Sequence, residues 1–490
     1  MKLAKILENE SFRIFIRSVV SKAGLTFLFV MVAISIYVVA TMPLDFGIRV
    51  WSNPKLWADN PKNAPPIWVN YFSNPKLMEH VRIVISKPAR VESVEGGGKI
   101  FTYVVTYRHG YEQFPQTIII RFQNVTYYTR YTPVIEVSVR RPDRLVIERL
   151  FVWRALTTAG KPPYVRSERI DIEGYKEAAP QLSTFLLREF NITITPERIL
   201  SREVPATEII MGKPTVKDEN LQFKPLKGRY VFTFKVRTYS DKDYVGSIVM
   251  VFVGRAYGLM GTDNLGRDLA LGLIYGFPVA LLIGVVTSVM TTAIGALAGI
   301  VSGYYGGFID EAIQRVCDVL NNIPLLPLLI LMTFIVKNPA SKIKISPLAV
   351  IVMVLIAFGW AGLAIVIRSM VLPIKSQPFI EAAIAAGASK VRVMFKHIFP
   401  QVAPFIFAQM IFFTPSAILS EAAISFLGLG DPSIPTWGQI LEASYRAQAL
   451  QNGFWWWVIP PGLLIMYAAI TFVFIAQGLE PIVEPRLRTR

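Results

Sequence analysis

"EAAIAAGASKVRVMFKHIFP", residues Glu381 to Pro400, decides how the rest of the chain is read. Apolar stretches long enough to cross a bilayer lie on both sides of it, yet the segment itself is alanine-rich, basic and interrupted by one glycine. Upstream, Ser376 can cap a helix on which Phe379, Ala382, Ala383 and Ala386 recur at i, i+3, i+4 and i+7, a stripe of mostly small side chains. Gly387 suits the left-handed residue that ends a helix, and Ser389 can cap a second one. There Val391, Met394, Phe395 and Ile398 form a larger apolar stripe while Lys390, Arg392 and Lys396 stay solvated, and Pro400 marks entry to the next span. The expected result is a bent helical pair projecting from a membrane. An amphipathic helix lying on lipid is the competing reading; the Gly387 break and the small-residue face favour docking into a partner.

Composition agrees with a membrane setting. Of 490 residues 53% are hydrophobic and 17% charged, too apolar for a soluble chain of this length. The formal charge of +17 fits lysine and arginine beside apolar spans, and no recognition module accompanies it, so nucleic acid is not expected as a partner. A single cysteine, Cys317, excludes an intramolecular disulfide and a thiolate metal cluster. His80, His109 and His397 are too scattered to mark a metal site, and no catalytic nucleophile, base and metal constellation can be assembled, so an enzyme is not expected.

A hydrocarbon core about 30 Å thick needs about 20 helical residues. Gly24 to Pro43 meets that length after a basic start (Lys2, Lys5, Arg13, Arg17, Lys22) and lacks a cleavage site, so it reads as an anchor rather than a signal peptide. Apolar segments return near Pro278 to Ser302, Leu325 to Val336, Leu348 to Ile367, Val402 to Leu419 and Val458 to Ala476, which makes six expected spans. With residues 1–23 cytoplasmic, the tail from 480 to 490, with Arg486, Arg488 and Arg490, is also inside, as is the opening segment with Arg368 and Lys375 before it. Lys337, Lys342 and Lys344 fall outside in this topology and run against the charge rule. "FWWWVIPP", Phe454 to Pro461, supplies an interfacial aromatic anchor.

Between the first and second spans the grammar changes. "VIEVSVR" alternates Ile135, Val137 and Val139 with Glu136, Ser138 and Arg140, and Phe232, Phe234 and Val236 alternate likewise, so residues 44–256 are expected to form an extracellular β-rich domain, a sandwich being the favoured form. Glu173 to Phe190 is the one helical interruption, broken by Pro180. Asn124 and Asn191 match the glycosylation pattern, which is weak because Asn9 matches it too. "GGGKI", Gly96 to Ile100, lacks the spacing and hydroxyl of a phosphate-binding loop and reads as a hairpin turn.

Glu381-Ala382-Ala383, Gly387 and Pro400 resemble the EAA motif of permease subunits of binding-protein-dependent ABC importers, with "HIFP" where that family often has "HILP". "GTDNLGRD" (Gly261 to Asp268), "GYYGGFID" (Gly303 to Asp310) with Arg315 and Asp318, "SFLGLGDPSIPTWGQIL" (Ser425 to Leu441) and "EPRLR" (Glu484 to Arg488) extend the resemblance to the peptide/nickel branch, closely over 257–490. A second "EAA" at Glu421 to Ala423 is a decoy, since Leu427 replaces the glycine.

The resemblance implies a mainly α-helical permease of six transmembrane helices, with residues 257–479 as the transmembrane domain and 376–400 as its coupling segment. It also implies a heteromeric complex: a second homologous permease, two ATPase subunits that bind ATP and Mg, and an extracellular substrate-binding protein. This chain itself would bind no cofactor. Glu381, Ala382, Ala383, Ala386, Gly387 and Pro400 would couple to an ATPase groove; Gly261, Thr262, Asp263, Gly266, Arg267, Asp268 and Glu421 are outer-gate candidates, with helix capping and interface packing an equal reading of the loop. Glu421 would touch substrate or reach headgroups. Asp310 and Arg315 are read as solvated or locally paired. Short peptides are the expected cargo, oligosaccharides the second choice; a stand-alone ion-coupled carrier is the competitor, disfavoured because the spans carry few charges.

Overall fold

The computed structural model describes residue 15 and residues 18–94, 97–155, 160–217, 220–338 and 345–483. The basic residues before Ser18, Asn9, Gly96, Lys342, Lys344 and the "EPRLR" tail lie outside the described residues. The chain forms two compact units, one from the first 53 residues together with Leu269 onward, the other Pro54–Asp268.

Helix α1 (Val19–Thr41) opens the first unit, with the Ser18 hydroxyl accepting from the Ser21 amide. It begins five residues before Gly24 because that cap, rather than hydropathy, sets the start.

The Pro54–Asp268 unit is an antiparallel sandwich of β1 (Val81–Ile85), β2 (Arg90–Val94), β3 (Gly98–His109), β4 (Thr117–Tyr127), β5 (Val134–Arg140), β6 (Val146–Arg154), β7 (Tyr164–Asp171), β10 (Gly228–Arg237) and β11 (Tyr244–Val253), with β8 (Gly212–Lys217) and β9 (Asn220–Pro225) as a separate hairpin. One sheet runs β1-β11-β4-β7, the other β2-β3-β10-β5-β6. The alternation is realised: Ile135, Val137, Val139, Phe232, Phe234 and Val236 are buried, and Phe234 pairs with Val137 on one side and Tyr103 on the other. Rings from the two sheets meet directly, Tyr107 stacking on Phe252 at 3.8 Å and Phe122 meeting Phe234 edge-on at 6.3 Å. Each such side chain contributes about 1.5–3 kcal/mol by leaving water. Between β2 and β3 Gly97 takes a left-handed φ of 87°.

Three helices lie beside this core: α2 (Ala178–Phe190), α3 (Pro196–Leu200) and α4 (Ala206–Met211). Pro180 does not break α2. It sits in the first turn, where its missing N–H has no intrahelical acceptor to lose. α3 and α4 add helix beyond the one expected interruption, and at five and six residues they are too short to carry a periodic signal. Glu173 accepts from the Ala206 and Thr207 amides, both at 2.9 Å, satisfying the start of α4. Arg141, fully buried, donates to the carbonyls of Ile209 (2.6 Å) and Gly212 (2.7 Å), pairs with Asp143 at 2.9 Å and lies over the Phe185 ring.

His80 packs edge-on to Tyr257, and burial holds its pKa down to about 4; Asp59 opposes that shift and Arg82 adds to it. The unfolded chain therefore takes up this proton first. His80's contribution is complete above the ordinary histidine value near 6.5 and is lost progressively as pH falls toward about 4. His80→Gln is expected to flatten the fall in melting temperature of this unit between about pH 7 and pH 5. Equal slopes for the two proteins would contradict the assignment.

The remaining membrane unit comprises α5 (Leu269–Tyr305), α6 (Gly307–Asn322), α7 (Leu325–Lys337), α8 (Pro347–Lys375), α9 (Pro378–Ala385), α10 (Phe399–Phe426), α11 (Trp437–Arg446) and α12 (Trp455–Val483). Among the described residues five helical stretches are long and apolar enough to cross a membrane: α1, α5, α8, α10 with the turn before it, and α12. The span expected over Leu325 to Val336 is different: α7 has 13 residues, about 20 Å, and passes the same test only together with α6, from which it is bent by 79°. Of the expected aromatic anchor, Trp456 and Trp457 are buried, while Phe454 and Trp455 stay half-buried.

Small residues bring the long helices together. Gly295, Gly299 and Gly303 lie one helical turn apart along α5, and a Cβ on any of them would collide with α8, at 2.9 Å from the Trp360 carbonyl, 2.7 Å from that of Ala364 and 2.8 Å from Val371. α1 returns onto α12, where the Tyr467 hydroxyl donates to the Phe27 carbonyl at 2.7 Å. The Trp437 indole donates to the Leu273 carbonyl at 2.8 Å, seating α11 on α5.

Candidate functional site

The segment from Ser376 to Pro400 is two short helical pieces around one glycine turn. Ser376 closes α8 rather than opening α9; Gln377 occupies the N-cap position and Pro378 begins the helix, its fixed φ suiting a first turn that needs no N–H. At the other end Ala388 donates to the Ala383 carbonyl (3.0 Å) and Gly387 to that of Ile384 (2.9 Å), with Gly387 at φ 83°. This is a Schellman closure, which a side chain at Gly387 would strain. Ser389 then accepts from the Arg392 amide, and a widened helical turn over Val393–Ile398 leads into α10, with Pro400 in its first turn.

One side of the segment is anchored and the other is open. Ile380, Val393, Met394 and Ile398 are buried with Ile300 and Tyr304 of α5, Ile367 and Val371 of α8, and Val402 of α10. Outward lie Phe379 (44% exposed), Ile384 (50%), Val391 (57%) and Phe395 (52%), with Ala382, Ala386 and Glu381 also exposed and Ala383 half-buried. The larger stripe is thus divided: Met394 and Ile398 fasten the segment, Val391 and Phe395 face out. The widened turn changes the register and separates them. Lys390 lies over the Tyr305 ring at 5.3 Å and Lys375 over Tyr304 at 5.9 Å.

Asp310 and Arg315 do not pair. Arg315 lies 3.8 Å from Glu311 on the surface, while Asp310 accepts both guanidinium bonds of Arg368 at 2.5 Å and one from the Ser302 hydroxyl at 2.5 Å. Arg368 lies toward the C-terminal end of α8, seven residues before Lys375.

The "GTDNLGRD" loop belongs to the Pro54–Asp268 unit, beyond the boundary expected at 256. Thr262, Asp263 and Arg267 serve to close that unit. The buried Asp263 carboxylate accepts from the Leu265 and Arg267 amides (2.9 and 2.8 Å) and from the Arg267 guanidinium (2.5 Å). The Thr262 hydroxyl accepts from the Ala64 amide, Asn60 donates to the Gly266 carbonyl, and Gly261 and Gly266 take φ of 73° and 80°. Glu421, 5% exposed, does not reach headgroups; its carboxylate accepts from the Ser425 hydroxyl at 2.6 Å inside the α10–α11 corner. The decoy "EAA" it begins lies in continuous helix. Among the described residues no cluster of three or more His, Cys, Asp or Glu side chains is placed to hold a metal ion.

Residues 295–489 match the family model of the binding-protein-dependent transport system inner membrane component. The dipeptide transport system permease protein of Bacillus subtilis is 32% identical over 229 residues, covering 46% of this chain and 68% of the relative. The oligopeptide transport system permease proteins of Bacillus subtilis and Haemophilus influenzae are 33% and 30% identical, over 46% and 51% of this chain and 72% and 77% of theirs. This chain belongs to that permease family. The permease match takes in the whole segment from Ser376 to Pro400 together with α6–α12, and it leaves out the β-sandwich unit.

Proposed function

We propose that this permease carries short peptides into the cell as one of two permease subunits, driven by ATP hydrolysis in separate ATPase chains and supplied by an extracellular binding protein. The observation that carries the proposal is the fixed segment around Gly387: anchored by Ile380, Val393 and Ile398, it holds Phe379, Ile384, Val391 and Phe395 outward, exposed among the described residues. Four exposed apolar side chains on a rigid bent scaffold fit a groove better than water. The names of the similar permeases support peptide over oligosaccharide as cargo. Glu381, Ala382, Ala383, Ala386, Gly387 and Pro400 then form the contact with the ATPase, which holds ATP and Mg. The gate candidates act differently: Gly261, Thr262, Asp263, Gly266, Arg267 and Asp268 form a rigid loop, and Glu421 a buried polar point.

The Pro54–Asp268 sandwich has a separate job in this proposal, as an extracellular platform that receives the binding protein, with both chain termini cytoplasmic. Protease added to intact cells is expected to cut within Pro54–Asp268 and spare the helices. Replacement of that unit by a Gly/Ser linker should leave ATPase assembly intact and weaken binding-protein docking. Cleavage solely from the cytoplasmic side would overturn the orientation, and undiminished docking would reduce the unit to a stabilising cap.

A further inference from the structure

The corner between α5 and α6 is tied to its surroundings more heavily than a connecting turn requires. Asp310, in the first turn of α6, receives a bidentate pair of bonds from Arg368 of α8, 58 positions away in sequence, the two side chains being 14% and 31% exposed. Ser302 of α5 donates to the same carboxylate, and the Gln314 amide donates to Ser302 at 3.0 Å. Three helices thus share one carboxylate. Gly303 next to it lets α5 close on Val371. The tyrosines that follow carry the cations flanking the segment's first helix, Lys375 on Tyr304 before it and Lys390 on Tyr305 after it.

We propose that the Asp310–Arg368 clasp is the fixed seat through which movement of the segment from Ser376 to Pro400 reaches α5, α6 and α8 together. Asp310 and Arg368 are positioning residues; this rests on the coupling role proposed above. α9 follows Arg368 by ten residues, so a push on it turns α8 first. Without the clasp α8 can slide along the glycine face of α5 and the motion is absorbed there. With it, the three helices move as a block. Bidentate charge-assisted bonds suit the task because they fix angle as well as distance.

The test uses the full complex in proteoliposomes, with binding protein loaded from a mixture of di- to pentapeptides, and reads peptide accumulated per ATP hydrolysed. Asp310→Asn and Arg368→Gln are each expected to lower that ratio at least about tenfold while the ATPases still copurify and still hydrolyse ATP. The double variant should be no worse than either single one, as for two halves of one contact, and Asp310→Glu should recover most of the ratio. A wild-type ratio in both single variants would overturn the clasp. So would loss of assembly in parallel with transport, rescued in parallel by Asp310→Glu, which would make it a folding contact only. If the wild-type chain recruits no ATPase, the coupling role fails first, and the clasp with it.

Discussion

Gly387→Pro is expected to abolish ATP-driven transport while leaving the chain inserted in the membrane. Gly387 sits at φ 83°, a region proline cannot enter with its ring-fixed φ near −65°, and its N–H donates to the Ile384 carbonyl in the closure of α9. The substitution removes that bond and forces the turn open, so Phe379 and Ile384 lose their bearing relative to Val391 and Phe395. Nothing lies within 4 Å of where a Cβ would stand, so the damage is one of direction rather than collision. Gly387→Ala tests the same idea more gently, since it retains the N–H and meets only the left-handed penalty of about 1–2 kcal/mol. Uptake should fall in the order glycine, alanine, proline, with membrane insertion unchanged in all three. Equal uptake in the glycine and proline forms would remove the segment from the coupling path.

Arg141→Ala is expected to have the largest effect on stability. Its guanidinium is the partner of the Ile209 and Gly212 carbonyls and of Asp143, and its plane lies near Phe185 and Phe190. Truncation leaves these acceptors without their donor and opens a cavity between α2 and the start of β8, at a cost of about 3–5 kcal/mol. The sandwich unit should become protease-sensitive well below the temperature at which the wild-type unit does. Arg141→Lys keeps the charge but not the fork and should fall between. An unchanged cleavage temperature for Arg141→Ala would contradict the picture of one arginine fastening α4 and β8 to the sheet.

Local signals carried much of this fold, and long-range pairing carried the rest. Apolar length located α1, α5, α8, α10 and α12, and period-two alternation located β5 and β10, because both depend on neighbours in the chain. Gly387 was legible because a left-handed turn depends on a single residue. The bend between α6 and α7 was not, since apolar length says nothing about direction. Nor was the Asp310–Arg368 contact, where two residues far apart in sequence meet through the glycine face of α5. One of the three lysines that oppose the expected topology has a local use: Lys337 donates to the Gly428 carbonyl at 2.8 Å, within the turn that "SFLGLGDPSIPTWGQIL" builds between α10 and α11. The motif at Gly261 to Asp268 reads with the membrane part, whereas its backbone pairs with residues 60–64 of the sandwich unit.

The most direct measurement is purification of the tagged chain from its native membrane, with a cysteine placed at Ile384 for crosslinking. Ile384 is half exposed on α9 and lies at the centre of the proposed contact. ATPase subunits should copurify, and the cysteine should crosslink to them at a site that Gly387→Pro displaces. A chain that purifies without any ATPase, or an Ile384 position that crosslinks only to lipid, would contradict the account.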